Sequence, residues 1–197
     1  MHKKCYTIDK FISAWECDLF IDYFDRNYQR LLEHKVDGLN DDFSGRALCI
    51  NDVDNQIIHH YMNVIRVRTS MYIKETFNLG FNEFVLPCNT QIVKWNIGQD
   101  MDVHTDTSRY TDGFNSKAYS QGDGQKTPYH YRWSSLIYLN DEYEGGETIM
   151  DDDLINPEKG KLVVFDSDTL HGVKKVGLMN RYTMPMWFTN LPWWYEG

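Results

Sequence analysis

The 197-residue chain has four cysteines, Cys5, Cys17, Cys49 and Cys88, and no two of them form a Cys-x-x-Cys pair. Such wide spacing argues against both a disulfide framework and a zinc site, and leaves reduced cysteines packed as small hydrophobes. Long apolar runs are missing too. No segment approaches the ~20 apolar residues of a membrane helix, and residues 1–17 contain no apolar stretch that would serve as a signal-peptide core. The expected location is therefore a reducing cytoplasm. Positive charge is in deficit: 20 Lys and Arg stand against 29 Asp and Glu, for a net charge of −9. A nucleic-acid partner draws its affinity from Lys and Arg on phosphates, so this balance argues against one. There is no internal repeat and no low-complexity segment. Aromatics, by contrast, are plentiful, with six Trp and thirteen Tyr, which suits a β-rich core and an aromatic-lined pocket. The length predicts a single domain over 1–197.

Residues 1–12 read as a short lead-in strand. Ser13 and Glu16 have capping-box spacing and open a helix to about Leu32–His34, with Trp15, Leu19, Tyr23 and Leu31 as candidate core positions. Lys35–Asp52, with Gly38, Asn40, Asp41, Asp42 and Gly45, reads as an exposed loop. A second helix is predicted from about Asp54 to Phe77, its 3.6-residue period supplied by Ile57, Tyr61, Val64, Ile65, Met71 and Tyr72. Asn78-Leu79-Gly80 reads as its stop, with Gly80 free to take positive φ. From Phe81 the period changes to two. Strands are predicted at Glu83–Leu86, Gln91–Asn96, Met101–Asp106, Arg132–Asn140, Glu147–Met150, Lys161–Asp166, Gly172–Lys175 and Arg181–Phe188. Residues 1–80 are thus mostly helical support and 81–197 a sandwich or barrel core. Thr107–Tyr131 interrupts this rhythm as a long connection rich in Gly, Ser, Asp and Tyr, either a lid or a tolerated surface insertion.

Chemistry concentrates at His104-Thr105-Asp106. On a strand His104 and Asp106 project from one face, and Thr105 from the other. His171 supplies a second imidazole. Two His and one carboxylate on one face of an octahedral ion leave three positions open, the arrangement of non-haem Fe(II) oxygenases. Arg181, ten residues beyond His171, is placed to anchor the carboxylate of an organic acid bound to that iron. Thr183 and Trp187 share the face of Arg181 by alternation. Pro185 lies on that face as well, which predicts an edge strand or a bulge there. His2, His34, His59 and His60 read as solvated or capping residues, and His130 as an exposed histidine or a substrate contact. Asp151-Asp152-Asp153 reads as a solvated turn. Asp166 or Asp168 reads as either a turn residue or a support for His171.

The motifs around these residues fall in a specific order. Gln91-Ile-Val-Lys-Trp-Asn-Ile-Gly-Gln precedes His104, and Ser135-Leu-Ile-Tyr-Leu-Asn leads to Gly145-Gly-Glu-Thr. Pro157-Glu-Lys-Gly-Lys-Leu-Val-Val-Phe then leads to Leu170-His-Gly-Val and to Arg181. Over about residues 83–189 this succession resembles the prolyl-4-hydroxylase-like branch of the 2-oxoglutarate/Fe(II) dioxygenases. The resemblance implies a fold that is mainly β with N-terminal helices, a double-stranded β-helix (jelly roll) buttressed by two long α-helices. It implies Fe(II) held by His104, Asp106 and His171, with 2-oxoglutarate and O2 as cosubstrates and ascorbate as a candidate reductant. Arg181 matches the partner of the distal carboxylate of 2-oxoglutarate, and Arg suits a bidentate contact. Tyr138 matches a tyrosine that donates to the same carboxylate. Trp95 stands where many relatives have a Tyr near the other end of the cosubstrate. Thr183 joins the cosubstrate-binding set, and Arg132, Trp187 and His130 form a candidate substrate set. Asp106, where halogenating relatives carry Ala or Gly, implies hydroxylation. The implied substrate is a prolyl or other residue of a peptide or protein. Alternatives are a free amino acid or small metabolite and, in another class, a non-catalytic jelly-roll binding or sensing protein with a vestigial site. Arg181 is the last Arg or Lys in the chain, which argues against a nucleic-acid dealkylase carrying a second Arg beyond the first.

Overall fold

The computed structural model describes residues 5–33, 45–106, 131–151 and 153–190. Leu31, His130, Asp152 and nearly all of the long 107–131 connection lie outside what can be described. The first strand is β1 (Cys5–Ile8), followed by helix α1 (Ala14–Glu33). Its capping box forms as expected. Ser13 N–H donates to Glu16 Oε2 at 2.7 Å, and Glu16 N–H donates to Ser13 Oγ at 3.2 Å. Ser13→Ala therefore lowers stability by about 1 kcal/mol, read as a lower urea midpoint at unchanged slope.

Each helix buries a stripe that coincides only in part with the one expected: Ile65 is fully buried and Leu19, Tyr23, Tyr61 and Tyr72 pack at the edge of the core, while other expected positions face outward. In α1 the buried residues are Cys17, Phe20 and Phe24, whereas Trp15 is 59% exposed. Leu19 and Tyr23 are half-buried at the flank of the core. In α2 (Gln56–Thr76) the buried set is Ile58, Met62, Ile65, Thr69 and Ile73. Ile57 and Met71 face outward at 64% and 67% exposure. Both stripes carry helical spacing, and a one-residue offset turns the face by about 100°. Periodicity alone cannot choose between them; packing against the sheet does. The stop of α2 also differs: Asn78, not Gly80, takes positive φ, at 49°.

Among the described residues, α1 is followed by β2 (Gly45–Cys49), then, after α2, by β3 (Leu86–Trp95), β4 (Met101–His104), β5 (Trp133–Tyr138), β6 (Glu144–Gly145), β7 (Thr148–Met150), β8 (Asp153–Ile155), β9 (Leu162–Asp166), β10 (His171–Val173) and β11 (Val176–Gly177). The last is β12 (Arg181–Thr189). A six-stranded sheet has the order β1-β9-β5-β12-β3-β2, and a four-stranded sheet the order β4-β10-β7-β8; β11 pairs with β6. Every pairing is antiparallel. Residues 45–52, expected to be exposed loop, instead form β2 and a 3₁₀ turn, with Ala47, Leu48 and Ile50 buried. The predicted Glu83–Leu86 strand shrinks to Leu86, the first residue of β3.

The six-stranded sheet is buried on both faces, and alternation assigns each face a task. Ile92, Val164, Met184, Met186 and Phe188 pack with Phe20, Phe24, Met62, Ile65 and Ile73 of the helices. On the opposite face, Val93 and Trp95 meet Val173 and Val176, and Val163 and Phe165 meet Met150. Between the sheets lies a cavity lined from both sides. Pro185 corrects an expectation, because β12 runs between β5 and β3 and is not an edge strand. The β12–β3 ladder is interrupted at both Met184 and Pro185, between Thr183↔Val93 and Met186↔Thr90, and Pro185 stands opposite Leu136 of β5. The register irregularity, in keeping with the alternative of a bulge, falls between Met186 and Phe188. A strand interior accepts a residue without an N–H where the ladder is already open.

Candidate active site

The register of the four-stranded sheet sets His104, at the end of β4, directly opposite His171, at the start of β10. Their rings are 4.4 Å apart. Asp106 follows just beyond β4, where its N–H donates to the carbonyl of Ser167 at 2.9 Å. One ligand atom from each of His104, Asp106 and His171 lies within 4.8 Å of the others. Each imidazole is oriented by its own backbone. Nδ1 of His104 is 2.9 Å from the carbonyl of Asp102, and Nδ1 of His171 is 3.0 Å from the carbonyl of Thr169. A carbonyl only accepts, so Nδ1 carries the proton and the lone pair of each Nε2 faces Asp106. The Nε2 atoms stand 3.9 Å and 3.7 Å from its two oxygens.

Asp106 is 4% exposed. Among the described residues no Lys or Arg pairs with it; its donors are neutral, Ser134 Oγ at 2.6 Å and Trp187 Nε1 at 2.9 Å. A buried carboxylate without a counter-cation is costly. Two imidazole lone pairs and this carboxylate together make a donor set that fits Fe(II) and leaves other coordination positions free.

At the other end of the cavity is Arg181, the first residue of β12 and 2% exposed. It lies between two rings, 5.5 Å from the centroids of both Trp95 and Tyr138. Nη2 donates to Thr148 Oγ1 at 3.2 Å, and among the described residues Nε has no hydrogen-bond partner and the guanidinium no carboxylate. A buried cation in that state fits an anionic ligand. Burial pushes the Tyr138 phenol up, with Arg181 pulling the other way, so Tyr138 stays neutral. Its hydroxyl donates to the Ile155 carbonyl at 3.2 Å and lies 2.6 Å from Thr148 Oγ1. The donors therefore run from Arg181 to Thr148 to Tyr138 to Ile155.

This geometry redistributes the expected roles. Tyr138 stands behind Thr148, not on the cavity wall, and Thr148 is the hydroxyl that faces the cavity. The position of Thr148 at the end of Gly145-Gly-Glu-Thr was the available signal. Tyr143 was also passed over. It is 6% exposed and packs on Gly146, where a φ of 64° strains any other residue and a Cβ would crowd both the Tyr143 ring and Arg181 Cδ. Trp95, Thr183 and Trp187 line the cavity. The Trp187 N–H faces inward to Asp106, and its ring lies tilted against Tyr131, centroids 5.8 Å apart at 30°. Arg132 does not line the cavity; it lies 3.5 Å from Asp166 in an ion pair. Asp166 is thus held in an ion pair, and Asp168 is exposed.

Comparison with known proteins agrees with this geometry. The profile of the 2OG-Fe(II) oxygenase superfamily matches residues 90–189. Prolyl 3-hydroxylase 2 of human and rat is 36% identical over 73 residues, which is 32% of this chain but only 10% of those longer proteins. The viral collagen prolyl hydroxylase of Paramecium Bursaria Chlorella virus-1, solved with 2OG, superposes with a TM-score of 0.69 at 18% identity, covering 97% of this chain and 98% of that one. A prolyl-4-hydroxylase from Pseudomonas putida gives 0.66 at 18% identity, covering 97% and 95%. A prolyl hydroxylase from Trichoplax adhaerens, solved with a hypoxia inducible factor peptide fragment, gives 0.66 at 14% identity, covering 96% and 84%. These likenesses establish a shared fold. The profile match spans half of the chain and takes in every residue at both ends of the cavity, so the protein belongs to the 2OG-Fe(II) oxygenase superfamily.

Proposed function

We propose that the chain is a single-domain double-stranded β-helix that hydroxylates a prolyl residue of a peptide or protein. The observation that carries this reading is the joint lining of one cavity by His104, Asp106, His171 and Arg181. The first three residues would hold Fe(II), and Arg181 would pair with the distal carboxylate of 2-oxoglutarate. Iron bound there supplies O2 activation coupled to decarboxylation of 2-oxoglutarate, so that 2-oxoglutarate, O2 and R–H become succinate, CO2 and R–OH. The chain's residues do the placing. The two Nδ1–H groups fix the imidazoles, Ser134 and Trp187 fix Asp106, and Thr148 with Trp95 fixes the guanidinium. The apolar wall of Val93, Met101, Leu136, Phe165 and Val173 excludes water from the reacting centre.

A prolyl substrate is favoured by the Tyr131 and Trp187 rings, which pack against each other at a tilt beside Asp106 and offer aromatic surface to a pyrrolidine ring. The relatives named above are all prolyl hydroxylases, some naming the 4-position and others the 3-position. The test is anaerobic titration of Fe(II)-loaded protein with 2-oxoglutarate, following the visible metal-to-ligand charge-transfer band. Succinate release is then screened with proline-containing peptides and free amino acids. A band together with peptide-stimulated succinate and hydroxyproline supports the reading. Stimulation by free amino acids alone replaces the peptide with a small metabolite, and no band at all leaves a binding protein.

Thr148→Val tests the cosubstrate end. It keeps the side chain's shape but removes the hydroxyl between Arg181 and Tyr138. The expected result is a 2-oxoglutarate KM raised about 10-fold, from an unsatisfied buried donor of roughly 1.4 kcal/mol, with metal affinity unchanged.

A further inference from the structure

The two oxygens of Asp106 have different surroundings. Oδ2 accepts from Ser134 Oγ and Trp187 Nε1, at 2.6 Å and 2.9 Å. Oδ1 accepts no hydrogen bond among the described residues, and its neighbour is His104 Nε2 at 3.9 Å. Behind Ser134 lies Ser167, with its Oγ 2.8 Å from Ser134 Oγ. Both serines are buried, at 2% and 0% exposure. A carboxylate only accepts, so the single proton of Ser134 goes to Asp106, and Ser167 must donate to Ser134. Ser167 also holds the other end of Asp106, because its carbonyl accepts the Asp106 N–H at 2.9 Å. Its own N–H donates to the Arg132 carbonyl at 3.1 Å, anchoring the residue to the start of β5.

We infer that Ser167 and Ser134 form a one-way hydroxyl relay which, with Trp187, fixes the Asp106 carboxylate so that Oδ1 is the oxygen presented to the metal. The inference rests on His104, Asp106 and His171 being the metal ligands. Ser134 sits in β5 of the large sheet and Ser167 just after β9, while Asp106 extends from β4 of the small one. The relay therefore sets the position of a ligand from one sheet by groups belonging to the other. Ser134 and Ser167 act through Asp106 and are positioning residues. Each bond in the chain polarises the next, so Ser167 strengthens the bond that Ser134 gives. The effect of Ser167 exists only while Ser134 has a hydroxyl.

The test is anaerobic Co(II) titration of the full chain, read by calorimetry and by the visible Co(II) spectrum, without any turnover. Ser134→Ala is expected to weaken Co(II) about 10-fold, the lower end of what removal of a ligand's hydrogen-bond partner costs. Ser134→Thr, which retains the hydroxyl, restores the affinity. Ser167→Ala costs several-fold in the wild-type background and nothing further in Ser134→Ala, the non-additivity of residues in one network. Wild-type affinity in Ser134→Ala, failure of Ser134→Thr to rescue, or losses from the two serines that simply add would each overturn the relay. Wild-type protein that binds no Co(II), or His171→Ala that binds it unchanged, would overturn the ligand assignment itself.

Discussion

Arg181→Met is expected to raise the 2-oxoglutarate concentration needed for half-maximal turnover by about 100-fold or more, roughly two charge-assisted hydrogen bonds, while Fe(II) or Co(II) binding is unchanged. Arg181 is buried at 2% exposure with its Nε unpaired and no carboxylate among the described residues. Burying such a cation costs stability in the ligand-free protein. An apolar side chain of similar length removes that cost, and comparable replacements of buried charges are often neutral or stabilising. Arg181→Met should therefore keep or raise the urea midpoint while losing cosubstrate. Arg181→Lys keeps the charge but not the planar fork, and should fall between the two. Loss of stability in step with loss of cosubstrate binding would make Arg181 a structural residue and defeat its assignment as anchor.

His171→Ala is expected to bring succinate production to background and weaken metal binding by more than about 100-fold, beyond the range seen when only a ligand's support is lost. The charge-transfer band with 2-oxoglutarate disappears with the metal. His171 is 7% exposed, stands opposite His104 in the strand register, and packs its ring 4.8 Å from Phe165. Its truncation leaves the other two ligands in place without the facial arrangement. His104→Ala should behave alike, whereas His59→Ala, on the exposed surface of α2, should change neither quantity. Retained metal and band in His171→Ala would require another ligand set.

The candidate site was legible in the sequence because its signals are local. His104 and Asp106 are two residues apart, and alternation alone puts Arg181, Thr183 and Trp187 on one face of β12. What escaped depends on distant chain segments. Thr148 and Ser134 gain importance only when β7 and β5 bring them to Arg181 and Asp106. Trp187 was expected to meet substrate, and nothing in its flanking sequence shows that its N–H is spent on Asp106. Arg132 was drawn to Asp166 by the pairing of Trp133 with Asp166 across β5 and β9. The helix faces were legible only in part, for another reason. Ile57 and Ile58, like Tyr61 and Met62, are adjacent apolar residues, so two stripes of equal spacing compete until the sheet selects one. The strand β2 was hidden by the turn-forming residues that precede it.

Strand β12 carries two texts in alternate letters. Tyr182, Met184, Met186 and Phe188 belong to the helix-facing core, and Arg181, Thr183, Pro185 and Trp187 to the cavity. Because strand side chains have a period of two, a shift of one residue exchanges the faces completely. Insertion or deletion of a single codon within β12 would turn every later residue of the strand to the opposite face, a methionine toward the cavity and Trp187 toward the helices. Point changes in this strand damage stability or chemistry separately, but a length change destroys both together. Alterations in length are thus expected to be tolerated in the connections between strands and not between Arg181 and Phe188.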